Sequence, residues 1–250
     1  MNVSEKNIAV IILAAGLGKR MKSSGAKVLH HINKTPMIRY VVEQAVQIAK
    51  HNVILVIGHQ AEKVKKCVKE HYNIIYAFQE EQLGTGHAVS CALPSVPTSA
   101  KEIVILCGDV PLLTQNTLKK LIYVHLNDAC DLTVLGVEAP DPKGYGRLLF
   151  DELNQLNAIV EEADATEAQK KIKIINAGIY CINKEFLLNS VGKIKSENAQ
   201  KEFYLTDMIK IAYDEKRKAK VVVADDYEEV IGINTLDELK VIESILLKRS

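Results

Sequence analysis

The sequence has no tryptophan, few aromatics of any kind, and five cysteines that form no C-x-x-C pair. Cys67, Cys91, Cys107, Cys130 and Cys181 are odd in number and scattered, which argues against a disulfide framework and against a cysteine-based zinc site. A reduced, cytoplasmic protein is the expectation. Net charge is also nearly absent, at +1, so bulk association with nucleic acid or an anionic membrane is disfavoured, and basic residues that matter must act locally. No apolar run approaches the length that spans a bilayer. The amino-terminal stretch MNVSEKNIAVIILAAG is not a signal peptide by this reading, because Glu5 interrupts the basic region and the apolar part ends in a glycine loop. Long linkers, low-complexity segments and internal repeats are lacking too.

What remains is an ordinary globular composition, 48% hydrophobic and 25% charged, in 250 residues, enough for one large domain with a substantial core. Apolar runs of strand length alternate with helical periodicities. Strands are expected near residues 8–13, 53–57, 74–78, 103–106 and 132–137. Thr35-Pro36 reads as an N-cap and first helical residue before Met37, Val41, Ala45, Ile48 and Ala49 at helical spacing. Helices are expected from Gly58 to about Glu70 and over about 117–126. This repeat predicts an α/β fold with a Rossmann-like open, mostly parallel mixed sheet and helices on both faces. In the second half KGYGRLLF, LNAIVEEADAT, IINAGIYCIN and VVVADDYEEVIGIN read as strands; a helix starts near Leu205, and LDELKVIESILLKRS reads as a closing amphipathic helix.

Sheets of this kind bind ligands beyond the carboxyl ends of their strands. Three such ends carry unusual chemistry: Gly16 to Arg20, Gln79 to Gly86, and Gly108-Asp109. The first is no dinucleotide fingerprint, because Met21 stands where the third glycine belongs. It is no P-loop either, because Arg20 follows Lys19 where Ser or Thr is needed. Its glycines nevertheless allow close approach of a bound group, and Arg20 and Lys27 supply positive charge suited to phosphates. Gly84-Thr85-Gly86 offers a helix start receptive to anions. Gln79 and Gln82 carry donors and acceptors suited to a base edge. Asp109 either caps the following turn or reaches a hard cation, with Asn234, after EEVI, as the second oxygen or else a helix N-cap. His30-His31 lacks partners at metal-ligand spacing, and Cys107 reads as an apolar filler rather than a nucleophile.

Taken together, LAAGLGKRM…KVLH resembles the signature of the nucleotidyltransferases that join sugar 1-phosphates to nucleoside triphosphates. EQLGTGHA, GDVPLL, GYGR, IVEE-x-DAT, IN-x-GIY, NAQ-x-EFYLTD and GIN resemble, more narrowly, the uridylyltransferase domain of the bacterial N-acetylglucosamine-1-phosphate uridylyltransferases, in order from about Ile8 to Leu239. The resemblance implies a nucleotide-diphospho-sugar transferase fold with a sugar-binding lobe, and a reaction of UTP with N-acetyl-α-D-glucosamine 1-phosphate that gives UDP-N-acetylglucosamine and pyrophosphate. By that resemblance Leu13, Ala14, Ala15 and Gly16 contact the nucleotide, Gln79, Gly84 and Thr85 place the uracil, and Arg20 and Lys27 hold the triphosphate. Asp109, beside Gly108, and Asn234 hold Mg²⁺, while Gly146, Glu161 and Asn176 contact the sugar. It further implies a nucleotidyltransferase domain over residues 1–239, with 240–250 as the start of a helix leading to a β-helix domain in bifunctional relatives; no acetyl transfer is assigned to these residues. Cys107 stands where relatives often carry Tyr, and Ala163 where some carry Lys. Two alternatives stay open: glucose 1-phosphate as the sugar with UTP or dTTP, and a silent nucleotide-sugar-binding module.

Overall fold

A computed structural model describes residues 7–21 and 25–249; the amino-terminal reading that rests on Glu5 lies outside them. The first strand, β1 (Ile8–Leu13), is a run of apolar and mostly branched residues, five of them buried. Such a strand has no solvent face and belongs in the middle of a parallel sheet. After it come a small hairpin, β2 (His31–Ile32) and β3 (Thr35–Pro36), then α1 (Met37–Ala49), β4 (Val53–Ile57), α2 (Ala61–Lys69), β5 (Ile75–Phe78) and α3 (Thr85–Ala92). The chain continues with β6 (Glu102–Cys107), α4 (Gln115–Asn127), β7 (Leu132–Glu138), β8 (Arg147–Phe150), β9 (Leu156–Val160) and β10 (Ile174–Asn183). It ends with α5 (Lys184–Ser190), α6 (Asp207–Asp214), β11 (Ala219–Val223) and α7 (Leu236–Arg249).

The central sheet runs β11-β7-β10-β6-β1-β4-β5, with β8 and β9 attached beside β10. β10 is antiparallel to β6 and β7, whereas β1 is parallel to both β4 and β6. The order places β1 between strands that leave to opposite sides, and the crevice past such a switch point is where open α/β sheets bind ligands. Because β10 runs backwards, its early residues come to the carboxyl end of β6. This is the mostly parallel mixed sheet that the alternating pattern predicts.

Side chains alternate across the sheet. Ile8, Val10 and Ile12 face a core completed by α1, α2 and α4, while Ala9 and Ile11 face one completed by α3, α5 and α6. A third cluster matters for the site. Ile242 and Ile245 of α7 pack with Met21, Ile32, Met37, Leu112 and Ile233. The 239/240 boundary falls inside α7.

Several local expectations are corrected. Thr35 caps no helix: Thr35 and Pro36 pair with Ile32 and His31 across the hairpin, and α1 starts at Met37. The helix expected near Thr117 begins at Gln115, capped by Thr114, whose Oγ1 accepts from the Thr117 N–H. KGYGRLLF contributes only four strand residues, and EEADAT lies past the end of β9. EEVI is no strand either. Residues Tyr227–Val230 form a 3₁₀ turn that buries Val230.

Candidate functional site

The turn that holds Arg20 also buries Met21, at 1% exposure, against α7 and the hairpin. Adjacent residues in so tight a turn point different ways, so anchoring Met21 leaves Arg20 exposed. Lys27 opens a second 3₁₀ turn, Lys27–Leu29, whose Val28 is buried. Just before the first turn Gly18 adopts φ +62°, and a Cβ there would stand 2.6 Å from the Lys27 Cβ. Only glycine permits both the left-handed backbone and that approach.

These loops deliver Lys27 to Asp109, with which it forms an ion pair at the end of β6. The Lys27 Nζ also donates to the Asn234 Oδ1 at 3.0 Å, and the Arg20 guanidinium donates to the same oxygen at 2.9 Å. The side chains of Lys27 and Asp109 keep only 17% and 19% of their exposure, so their attraction is weakly screened. Asn234 is itself held from below. Ile233 is buried, its N–H donates to the Asp109 carbonyl at 2.9 Å, and Thr235 and Glu238 form a capping box at the start of α7. The cap residue is therefore Thr235, and Glu238 Oε2 also accepts from the Asn234 N–H at 2.6 Å.

A cleft of about 550 Å³ opens over this cluster. Residues 13–16 form its floor, with the Ala14 and His59 N–H groups tying the loop to β4 and to Ala15. One wall is Gln79, Gln82, Gly84 and Thr85. Gly58 lets these segments meet: a Cβ on it would lie 2.8 Å from the Gln79 carbonyl oxygen, 2.9 Å from Gln82 Nε2 and 3.0 Å from Ala15 Cβ. Gln200 and Glu202 extend this wall, Glu202 packing against Gly84, their loop clasped by Asn198 through the Glu202 N–H and carbonyl. The helix start at Thr85 is less open to anions than its glycines suggest. The Gly86 N–H is already donated to Phe203 at 2.7 Å, and Thr85 Oγ1 accepts from Leu205.

Cys107 borders the cleft, and its Sγ donates to the Gly178 carbonyl at 3.3 Å. Burial first, then Asp109 and Glu161 nearby, push its thiol up to about 12 against the pull of Lys27. It is protonated near neutrality and no nucleophile. Past it, Gly146 takes the Asn176 N–H at 2.8 Å, and the Asn176 side chain donates to the Tyr180 hydroxyl at 2.8 Å. A Cβ on Gly146 would come within 3.3 Å of a Glu161 carboxylate oxygen. Burial chiefly, with Asp164 and Asp207 adding, raises the Glu161 carboxyl above its ordinary value, opposed by Thr206 and Arg147.

Residues 10–172 match the model of the MobA-like NTP transferase domain. The chain belongs to that family. It is 43% identical over 233 residues to the Bifunctional protein GlmU of Geotalea uraniireducens, covering 93% of this chain and 51% of that protein. It is 43% identical to the protein of that name from Caldicellulosiruptor saccharolyticus, over 98% of this chain and 53% of the relative. Against that from Desulfotalea psychrophila it is 38% identical, over 98% of this chain and 72% of the relative. The chain thus spans about half the length of most of these relatives. The resemblance that the motifs carry to the nucleotidyltransferases is borne out by these matches.

Residues 13–16, Arg20, Lys27, Gln79, Gly84, Thr85, Asp109 and Asn234 all border one cleft, Asn234 coming from beyond the matched residues 10–172. Gly108 lies just behind, donating its N–H to the Leu13 carbonyl at 2.9 Å. Gly146, Glu161 and Asn176 form a separate polar group joined to the cleft through Cys107. Sequence reasoning missed Gly58, Gln200 and Glu202. The last two lie in NAQ-x-EFYLTD, a stretch noticed only for its likeness, and Gly58 gives no signal without knowledge of what packs on it.

The cleft fits a divalent cation in one respect. Asp109 Oδ2 and Asn234 Oδ1 already converge on one positive centre, the Lys27 ammonium, and both are hard oxygen donors. Among the described residues no group of three or more His, Cys, Asp or Glu side chains surrounds such a point. Phosphate oxygens and water would have to complete its shell, which is how Mg²⁺ is usually held.

Proposed function

We propose that this chain transfers a uridylyl group from UTP to N-acetyl-α-D-glucosamine 1-phosphate, giving UDP-N-acetylglucosamine and pyrophosphate. The observation that carries it is the meeting of Lys27, Arg20, Asp109 and Asn234, from distant parts of the chain, at the mouth of a nucleotide-sized cleft. Two cations beside two hard oxygens suit a triphosphate and its metal far better than a neutral ligand.

On this reading residues 13–16 and Gln79, Gly84 and Thr85 seat the nucleoside, and Gly146, Glu161 and Asn176 seat the sugar. A phosphate oxygen of the sugar phosphate attacks the α-phosphorus of UTP. The bond from that phosphorus to the β-bridging oxygen breaks, and pyrophosphate leaves. The nucleophile is already anionic, so no covalent intermediate on the protein is required. The work of the site is to align two polyanions and offset their repulsion. Lys27 and Arg20 turn from Asn234 and Asp109 toward phosphate oxygens, where each adds charge-assisted bonds. Mg²⁺ bound at Asp109 and Asn234 would screen charge on the phosphate oxygens.

The test is pyrophosphate release from UTP with N-acetylglucosamine 1-phosphate, with glucose 1-phosphate, and with no sugar. Release that needs the N-acetyl sugar is expected. A preference for glucose 1-phosphate would keep the transfer and overturn the substrate.

A further inference from the structure

The amide of Gln79 is almost sealed, at 3% exposure, yet it borders the cleft. Its Nε2 lies 3.1 Å from the Gly84 carbonyl oxygen and 3.1 Å from His87 Nδ1. A carbonyl oxygen only accepts, so the amide atom facing Gly84 must be the NH₂ group. The same NH₂ faces His87, whose Nδ1 must then accept. That leaves the imidazole proton on Nε2, which lies 3.7 Å from Cys91 Sγ. Burial raises the Cys91 thiol above its ordinary value, so it stays a neutral acceptor for that proton. Every link in this chain has one consistent direction.

Both Gln79 amide hydrogens are thereby used, and Oε1 is the atom left for a ligand in the cleft. An acceptor fixed there welcomes a base edge that donates, such as the N3–H of a uracil-type ring. It meets the N3 lone pair of cytosine with a second acceptor. We infer that His87, which borders no part of the cleft itself, is a positioning residue that locks the Gln79 amide and so sets the preference for uridine over cytidine nucleotides. Without Nδ1 the NH₂ is held by Gly84 alone, so turning the amide's donors to the cleft costs one hydrogen bond less.

This inference rests on the proposed placement of the nucleobase beside Gln79. The experiment is calorimetric titration of UDP and of CDP, with Mg²⁺, into wild type, His87→Ala and His87→Asn. Asparagine sets a carbonyl oxygen at about the place of Nδ1 and should keep the lock. Wild type is expected to prefer UDP, His87→Ala to lose about tenfold of that preference, the worth of one hydrogen bond, and His87→Asn to retain it. If His87→Ala weakens both nucleotides equally, or if wild type shows no preference, His87 does not set base choice. Pyrophosphate release is measured in parallel. Its absence alongside an intact UDP preference would sink the transfer reaction and leave the role of His87 standing.

Discussion

The Lys27 ammonium bridges the Asp109 carboxylate and the Asn234 side-chain oxygen, residues 82 and 207 positions away in the chain. A cation, a carboxylate and an amide oxygen are thereby held together at the end of the two central strands, before any substrate is bound.

Asp109→Ala removes one of the two oxygens and should lower kcat/KM by about 100–1,000-fold, the scale of losing one preorganised electrostatic group. Stability should fall much less than turnover: Lys27, at 17% exposure, loses its carboxylate but keeps the Asn234 oxygen, so a loss of about 1–3 kcal/mol and a correspondingly lower melting temperature are expected. A melt and a turnover assay on one preparation check both.

Lys27→Met should separate cation binding from turnover. The ammonium shares its two partners with any divalent ion that binds there, so its removal should tighten Mn²⁺ binding without nucleotide by about two- to fivefold. Turnover should fall by about 10–150-fold, through lost phosphate contacts. Titration of Mn²⁺ by electron paramagnetic resonance reads the first effect. Weaker Mn²⁺ binding in the variant would refute the shared position.

Gly58→Ala tests the packing beneath the proposed nucleoside seat. The added methyl meets Gln79 and Ala15 backbone and side-chain atoms at 2.8–3.0 Å, so the floor and wall of the cleft must part. A loss of about 1–3 kcal/mol in stability is expected, with the KM for UTP rising more than kcat falls. Steady-state kinetics in UTP and a denaturant melt measure the two.

Glu161 has a folded pKa raised above its ordinary 4.5 by burial. In the pH range just above 4.5 the folded state holds a proton that the unfolded state has released, so this group costs stability as pH rises through its folded pKa. Glu161→Gln should therefore be more stable than wild type at pH 7 and lose that part of the pH dependence. If Glu161 accepts from sugar hydroxyls, the same change should raise the KM for the sugar phosphate about tenfold or more. Melting curves from pH 4 to 8 decide the first part.

Much of this was legible in the residues. The unbroken apolar runs at β1, β4 and β6 announce doubly covered strands, and the loops after β1, β5 and β6 carry Arg20, Lys27, Gln79 and Asp109. Errors arose where tertiary pairing overrides local chemistry. Thr35-Pro36 has the form of a helix start, but its neighbours in space are His31 and Ile32. EEVI has strand composition, yet Asp226 accepts from the Glu228 N–H and turns the chain. Gly58 and His87 act through contacts that no spacing reveals. Gly146, Glu161 and Asn176 were reached only through likeness to relatives, because nothing in their local sequence links them. The structure shows the common ground: the backward run of β10 and the Gly146–Asn176 bond beside Glu161.

The most direct measurement is chromatographic detection of UDP-N-acetylglucosamine formed from UTP, N-acetylglucosamine 1-phosphate and Mg²⁺, with pyrophosphate counted in the same samples and a parallel run in EDTA. Transfer at this cleft requires the two products in equal amounts, and neither in EDTA. Folded protein that makes no nucleotide sugar, or makes it undiminished in EDTA, would contradict it.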